Sequence, residues 1–378
     1  MMKTRTARRI IVLILIIAPL TAVAQLYKIP TDNISILFAG DLMQHKRQLQ
    51  EARTEDGEYS YSGYYRHIAK TIKSADISVA NLETPIGKSN FGGYPVFCAP
   101  DSFLYAAKDA GFNTFLFANN HCLDRGKKGV LHTLAMLDSL GVYHCGVYRN
   151  AKEREERYPL LIKKGGMRIA ILNYTYALNG HKIPEPIVIN LIDKSVMAKD
   201  IAKAKNMNAD VIIACMHWGE EYLSIPPAHV KETADWLLEQ GVDHIIGNHP
   251  HVIQPIEVRS SDNRPGRNAV VYSTGNLVSD MAVRKTDGGI MVRIGLKKIM
   301  NFTLLRSLEY LYTWISPRME NGKRDFTILP AATTVIEGDN NAESKLKLFL
   351  EDSRKLMKKH NSGEGISEFT IDTVRWSR

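Results

Sequence analysis

Thr114-Phe115-Leu116-Phe117-Ala118-Asn119-Asn120-His121-Cys122-Leu123-Asp124 is the stretch on which the fold turns. A strand-forming run, Thr114 to Ala118, enters two amides and an imidazole, with Asp124 three residues further on. Open α/β sheets carry their chemistry on loops at the carboxyl ends of strands. The same design recurs on either side. Ile36–Ala39 ends in Gly40-Asp41, and Ile77–Ala80 ends in Asn81-Leu82-Glu83. Val211–Met216, a continuous apolar run of the kind found in sheets covered on both faces, ends in His217-Trp218-Gly219. His244–Ile246 ends in Gly247-Asn248-His249-Pro250-His251. Singly, each loop has a plain explanation: a Gly-Asp turn, an Asn helix cap, a satisfied buried histidine. Five strand ends offering oxygen and nitrogen ligands, with no competing pattern, point to one shared site.

Between these strands the chain reads as helices. Apolar spacing and stop signals predict them over His67–Ser74, Ser102–Ala110 (capped by Asp101, ended by Gly111), Gly129–Leu140, Ser195–Lys205 and His229–Gln240. Further strands are expected over Met167–Tyr174, Val242–Gly247 and Ala269–Ser273. Such alternation argues for a layered α/β domain. Beyond about residue 290 the pattern changes. Ile290–Leu296, Phe302–Ser307 and Leu311–Ile315 read as antiparallel strands, and Ala342–Lys359 as a charged amphipathic helix. The expected division is a leader over 1–24, a main domain over 25–335, and a helix-and-strand extension over 336–378.

The leader has its own logic. Lys3, Arg5, Arg8 and Arg9 precede the apolar run Ile10–Leu20, and Ala22-Val23-Ala24 supplies small residues at alternate positions. A bilayer span needs roughly 20 apolar residues, so this shorter run predicts a signal peptide cleaved near Ala24, with an uncleaved anchor as the alternative. The expected location is the periplasm or cell envelope. The formal charge of +9 falls to +5 without those four basic residues. That suits an anionic substrate, and no basic stretch interleaved with aromatics calls for nucleic acid. Cys98, Cys122, Cys145 and Cys215 fit no zinc-ribbon or CxxC spacing, and Cys122 and Cys215 read as buried thiols.

Carboxylate, amide oxygen and imidazole without thiolate suit manganese, iron or zinc in a pair rather than a structural zinc site. Two such ions can activate a water between them and neutralise a phosphoryl oxygen, while a non-ligating histidine protonates the leaving group.

Six motifs in order now carry a resemblance: Gly40-Asp41-x-Met43; Asn81-Leu82-Glu83; Ala118-Asn119-Asn120-His121-x-x-Asp124-x-Gly126; His217-Trp218-Gly219-x-Glu221-Tyr222; Gly247-x-His249-Pro250-His251-Val252-x-Gln254; and Tyr272-Ser273-x-Gly275-Asn276. Together they resemble the bacterial capsule-synthesis, or poly-γ-glutamate-synthesis, CapA family over roughly residues 34–280, and that family is similar to calcineurin-like metallophosphoesterases. The resemblance implies an αββα sandwich with a dinuclear site at one sheet edge. It implies Asp41 and His251 as ligands of a first metal and Glu83 as the bridging carboxylate. Asn120, His217 and His249 would hold the second, with His121 as general acid oriented by Asp124. Trp218, Glu221 and Tyr222 are expected at the pocket mouth, with Trp218 in the core as the alternative, and Asn276 in a tight loop beneath. Two departures stand out. Met43 occupies the place of a usual histidine ligand, and a Glu replaces the usual bridging Asp. His45 can compensate for the first departure, but its plainer reading is a surface histidine. The implied substrate is an anionic phosphoester or polyanionic polymer, handled beside capsule-synthesis machinery at the membrane. The competing reading is a non-catalytic accessory protein that uses the same cleft to bind an anionic chain.

Overall fold

A computed structural model describes residues 31–260, 266–281, 283–316, 319–320 and 323–377. The expected leader lies outside the described residues. In chain order the helices are α1 (Lys46–Ala52), α2 (Ala69–Lys73), α3 (Asp101–Ala110), α4 (Gly126–Ser139), α5 (Ala151–Arg157), α6 (Lys194–Asn206), α7 (Ala228–Glu239) and α8 (Asn340–His360). The main strands of the amino-terminal half are β1 (Thr31–Leu42), β2 (Ile77–Leu82), β3 (Thr114–Leu116), β4 (Tyr143–Cys145), β5 (Leu160–Lys164), β6 (Met167–Thr175) and β7 (Val211–His217). They are followed by β8 (His244–Asn248), β9 (Ile256–Ser260), β10 (Arg267–Val271), β11 (Asn276–Val278), β12 (Gly288–Ile299), β13 (Phe302–Ile315), β14 (Ile328–Pro330) and β15 (Ile366–Glu368).

Two sheets form. The first runs β14-β13-β12-β1-β2-β3-β4, with β11 beside β1 and β15 beside β13; the second runs β9-β10-β8-β7-β6-β5. Strands β1 to β4 are mutually parallel, as are β6, β7, β8 and β10. Side chains alternate faces along a strand, and the burial follows that rule. Ile36, Phe38 and Val79 of the first sheet share one apolar core with Ile169, Ile213 and Val270 of the second. Leu37, Ala39 and Ala80 turn the other way, onto Phe103 and Leu104 of α3 and Val130 and Leu134 of α4. Met197 and Ile201 of α6 and Ala234 and Leu237 of α7 join the core on the second sheet, and β7 is buried at every position. The layers are therefore helix, sheet, sheet, helix, as expected of an αββα sandwich. Burying such aliphatic side chains contributes about 1.5–3 kcal/mol each, enough to hold the loops at the strand ends in place.

Three local expectations change. Pro100, not Asp101, is the N-cap of α3 and makes no side-chain cap bond; Asp101 instead pairs with His132 at 2.7 Å. Phe302–Ser307 and Leu311–Ile315 are one strand, β13, continuous opposite β12 with a single register shift. The stretch from 336 onward is tied into both sheets. Strand β15 lies beside β13, and the Ile256 and Val258 amides donate to Asn361 and Ser362. All four cysteines are buried and unbridged.

Candidate metal centre

The parallel strands of both sheets end at one edge, and their last residues meet there. Asp41 leaves β1 where the ladder to β2 loses register, opposite Asn81. Its amide donates to the Gly275 carbonyl at 3.1 Å. A Cβ on Gly40 would sit 2.0 Å from that carbonyl, so only glycine permits the approach of β1 to the loop before β11. From the other sheet, His217 ends β7 opposite Asn248 of β8. His249 and His251 follow with φ of 100° and 58°. Non-glycine residues seldom occupy that left-handed region, and such strain collects at functional sites.

Asp41, Glu83, Asn120, His217, His249 and His251 are all buried, and all six converge. His251 Nδ1 lies 3.3 Å from Asp41 Oδ2, and its Nε2 lies 3.9 Å from Glu83 Oε1. His217 Nε2 is 3.5 Å from the same Glu83 oxygen and 2.8 Å from Asn120 Oδ1. Two overlapping sets of ligand atoms, Glu83/His249/His251 and Asp41/Glu83/His217, each lie within 4.8 Å of one another. Glu83 is common to both sets, in keeping with a bridging position.

Electrostatics mark the cluster as incomplete. Burial, then the neighbouring Asp41 carboxylate, pushes the Glu83 carboxyl well above its usual range. Burial and neighbouring imidazoles hold His217 well below the usual histidine range and push His249 down to about 2. Neutral imidazoles are the form that binds a metal. Among the described residues, Glu83 Oε1 and His249 Nδ1 are buried with no hydrogen-bond partner. Buried polar atoms are rarely left so, and a divalent cation satisfies both. The donor set of carboxylate, amide oxygen and imidazole fits that group.

His121 stands beside the cluster. Its Nδ1 is 2.8 Å from Asp124 Oδ2, which also accepts from the Phe97 amide at 2.8 Å. The carboxylate fixes the Nδ1–H tautomer and leaves Nε2 as the nitrogen available for proton transfer. Phe97 packs its ring on His121 at 4.5 Å.

Other expected residues take different places. Trp218 is buried, donates Nε1–H to the Tyr272 carbonyl at 3.0 Å and stacks on that ring; it packs in the core and not at the mouth. Asn276 is likewise buried. Its Oδ1 meets His251 Nδ1 at 3.1 Å and its amide donates to the Thr286 carbonyl, so it orients a ligand and lines no pocket. Glu221 and Tyr222 are exposed, and the Tyr222 ring lies 6.4 Å from His251. His45 is no surface histidine. Its Nε2 is buried without a partner, and burial, then the fields of His251 and His121, pushes it down to about 4. Neither ligand set includes it.

Sequence reasoning named Asn81 and Asn119 in the motifs without giving them a role, and missed Tyr176 and Asn179. Asn81 donates to Asp41 Oδ1 at 2.7 Å and accepts from Asn119. Tyr176 covers the His249 ring at 4.4 Å, and Asn179 accepts from Asn120 at 3.3 Å. The signal was present: Asn81 is an amide inside an otherwise apolar strand, and Tyr176 and Asn179 follow the carboxyl end of β6.

Comparison with known proteins places the chain in a family. The profile of a family described as "Bacterial capsule synthesis protein PGA_cap" matches residues 35–281. The chain is 27% identical to "Capsule biosynthesis protein CapA" of Bacillus anthracis, over 73% of this chain and 67% of that protein. It is also 27% identical to "PGA biosynthesis protein CapA" of Bacillus subtilis, over 71% and 69%. Among solved structures, it is similar at TM-score 0.49 and 12% identity to the Haemophilus influenzae NAD nucleotidase NadN, covering 91% of this chain but only 65% of that one. It is similar at TM-score 0.45 and 13% identity to the calcineurin-like phosphoesterase YfkN of Bacillus subtilis, covering 86% and 98%. The site motifs of this chain lie within the stretch that the family profile matches, and the chain belongs to the bacterial capsule synthesis protein PGA_cap family.

Proposed function

We propose that this protein is an exported, metal-dependent phosphoesterase that acts in the synthesis of a capsule or poly-γ-glutamate polymer. One observation carries the reading. Six buried candidate ligands converge from both sheets, and two of their atoms, Glu83 Oε1 and His249 Nδ1, have no hydrogen-bond partner among the described residues. Asp41, Glu83, Asn120, His217, His249 and His251 would hold two divalent ions. When bound, such ions supply charge neutralisation at a phosphoryl group and a water nucleophile at neutral pH.

The chain's own residues do the rest. Asn81 and Asn276 fix the orientation of Asp41 and His251. Asp124 holds His121 so that Nε2 can deliver a proton to the departing oxygen, a contribution of roughly 10²–10⁴ in rate. Export is supported by the sequence over 1–24, and no described helix is long and apolar enough to cross a membrane.

A second reading, a non-catalytic accessory protein binding an anionic polymer, has its own support. Met43 replaces an expected ligand, and a Mycobacterium tuberculosis relative 28% identical over 225 residues is described as a "Probable polyglutamine synthesis accessory protein". A screen of manganese-loaded protein against aryl phosphates and phosphodiesters separates the two. Turnover that vanishes in His121→Ala, with fold and metal content retained, supports the enzyme. A loaded protein with no turnover supports the accessory role. Deletion of the gene is expected to lower cell-associated polymer, and an unchanged envelope would count against the process.

A further inference from the structure

The end of the sandwich remote from the metal centre has a surface of its own. Strand β1 starts there at Thr31, opposite Ile299, and reaches the centre at Asp41. At about 3.3 Å per residue the two ends of that run lie roughly 33 Å apart. Two hairpin turns meet near the start of β1. The first, Met300-Asn301, joins β12 to β13 and is closed by the Ile299–Phe302 pair. Met300 is 66% exposed and Phe302 50%. Met300 also has a φ of 55°, in the region where hairpin turns favour glycine. Neither packing nor backbone preference accounts for a large apolar side chain at that position.

The second turn, Gly165-Gly166 between β5 and β6, packs on the same strand. A Cβ on Gly165 would sit 3.1 Å from Ile34, and Lys298 donates to the Gly166 carbonyl at 3.3 Å. Around the two turns stand Lys163, Lys164, Arg168, Lys297 and Lys298, of which Lys163 and Lys164 are exposed. All but Lys297 line one cleft with Asp210. Of the acids nearby, Asp210 pairs with Lys298 at 2.9 Å, and Asp32 is the ladder partner of Lys298. Asp76 accepts from the Ser35 amide at 2.9 Å and Asp243 from the Ile212 amide at 2.7 Å. Lysines often guard an edge strand such as β5. Edge protection does not account for Arg168 and Lys298, which lie on interior strands of the two sheets.

An apolar tip flanked by cations suits the headgroup layer of an anionic bilayer. The tip gains by leaving water, and the cations gain by meeting lipid phosphates. The chain also leads there. Residues 21–30 are all that separate Thr31 from Leu20, the end of the leader's apolar run, and that stretch spans at most about 40 Å. We infer that Met300, Phe302 and the surrounding cations form a docking face for a bilayer of anionic lipid, with the metal centre held about 33 Å away at the far end. The inference goes beyond the catalytic reading and does not depend on it.

Quenching by lipid-borne quenchers tests it on the full-length chain. The native cysteines are buried, so a fluorophore can be placed on Asn301→Cys at the tip or on Tyr94→Cys near the metal centre. In phosphatidylglycerol vesicles the first is expected to be quenched and the second not. Lys163→Gln with Lys164→Gln should lower the docked-to-free ratio about 25-fold, at roughly fivefold per cation. Lys358→Gln with Lys359→Gln, exposed near the metal-centre end where α8 meets Ile256, should change it by less than about twofold. Met300→Gly should lower it about tenfold with no loss of thermal stability, because glycine suits that turn position. Equal losses in the two lysine pairs would overturn the docking face. So would quenching as strong in phosphatidylcholine vesicles, or stronger at Tyr94→Cys than at Asn301→Cys. Quenching at neither position would overturn it too, and would leave the tip to a protein partner.

Discussion

Two buried polar clusters occupy this molecule and they are built on opposite terms. Behind β6, Arg154 of α5 reaches Asp200 of α6 at 2.6 Å and Asn190 at 2.7 Å, while Tyr174 donates to the same Asp200 oxygen at 2.9 Å. Donors and acceptors there answer one another. At the carboxyl edge of the sheets, Asp41 and Glu83 are equally buried, but burial opposes the charge of His217 beside Glu83, and Glu83 Oε1 has no hydrogen-bond partner. A paired cluster completes itself during folding. An unpaired one with the same burial is stable only with something added. The difference marks the second cluster as a candidate cation site and the first as a structural tie.

Substitutions in the two clusters should therefore fail in different ways. The largest effect belongs to the incomplete cluster: Glu83→Ala, Asn120→Ala or His121→Ala is expected to lower turnover by roughly 10³-fold, near 4 kcal/mol, with the fold intact by circular dichroism. In the paired cluster, Arg154→Met is expected to cost about 3 kcal/mol in chemical denaturation by stranding Asp200, with metal content and turnover unchanged. A comparable loss of metal in that variant would erase the distinction. Asn276→Ala, which frees His251 from its acceptor, should weaken metal affinity by roughly 10–100-fold, read by competition with a chelator.

Smaller effects sharpen the contrast further. In metal-free protein, Glu83→Gln should raise the melting temperature, because it removes a carboxyl whose ionisation burial and the Asp41 carboxylate oppose. In metal-loaded protein the same change should lower it. In a separate, partly exposed ion-pair cluster, Asp138 is held down to about 2 although burial opposes this; its hydrogen bonds to His144 and Arg149 and the nearby Arg157 outweigh the desolvation. A depressed carboxyl stabilises the fold above its unfolded value of 3.8 and loses that contribution as pH falls towards about 2. Unfolding followed between those values should show the slope in wild type and a flatter profile in Asp138→Asn. Identical profiles would remove Asp138 from the account.

The same contrast explains what could be read from sequence. The parallel strands were legible because strands covered on both faces are continuous apolar runs, as in Val211–His217, and a polar residue after such a run has few reasons to be there. All six candidate ligands came from that rule. Residues whose work is to hold a ligand were not legible in the same way. Asn276 and Asn81 act through bonds to residues 25 and 40 positions away, a spacing no local pattern encodes. Trp218 sits next to His217, yet its indole turns from the site into the core. His45 reads as surface from its polar neighbours, but its Nε2 is buried among site residues. The antiparallel half was blurred for another reason. In β13 the outer positions alternate between buried and partly exposed, so one long strand looked like two.

Anomalous diffraction from crystals soaked in manganese tests the central claim most directly. The account predicts two peaks, both within ligand distance of Glu83 and divided among Asp41, Asn120, His217, His249 and His251, and neither present in Glu83→Ala. Density at those side chains with no anomalous peak at full manganese occupancy elsewhere in the crystal would contradict it.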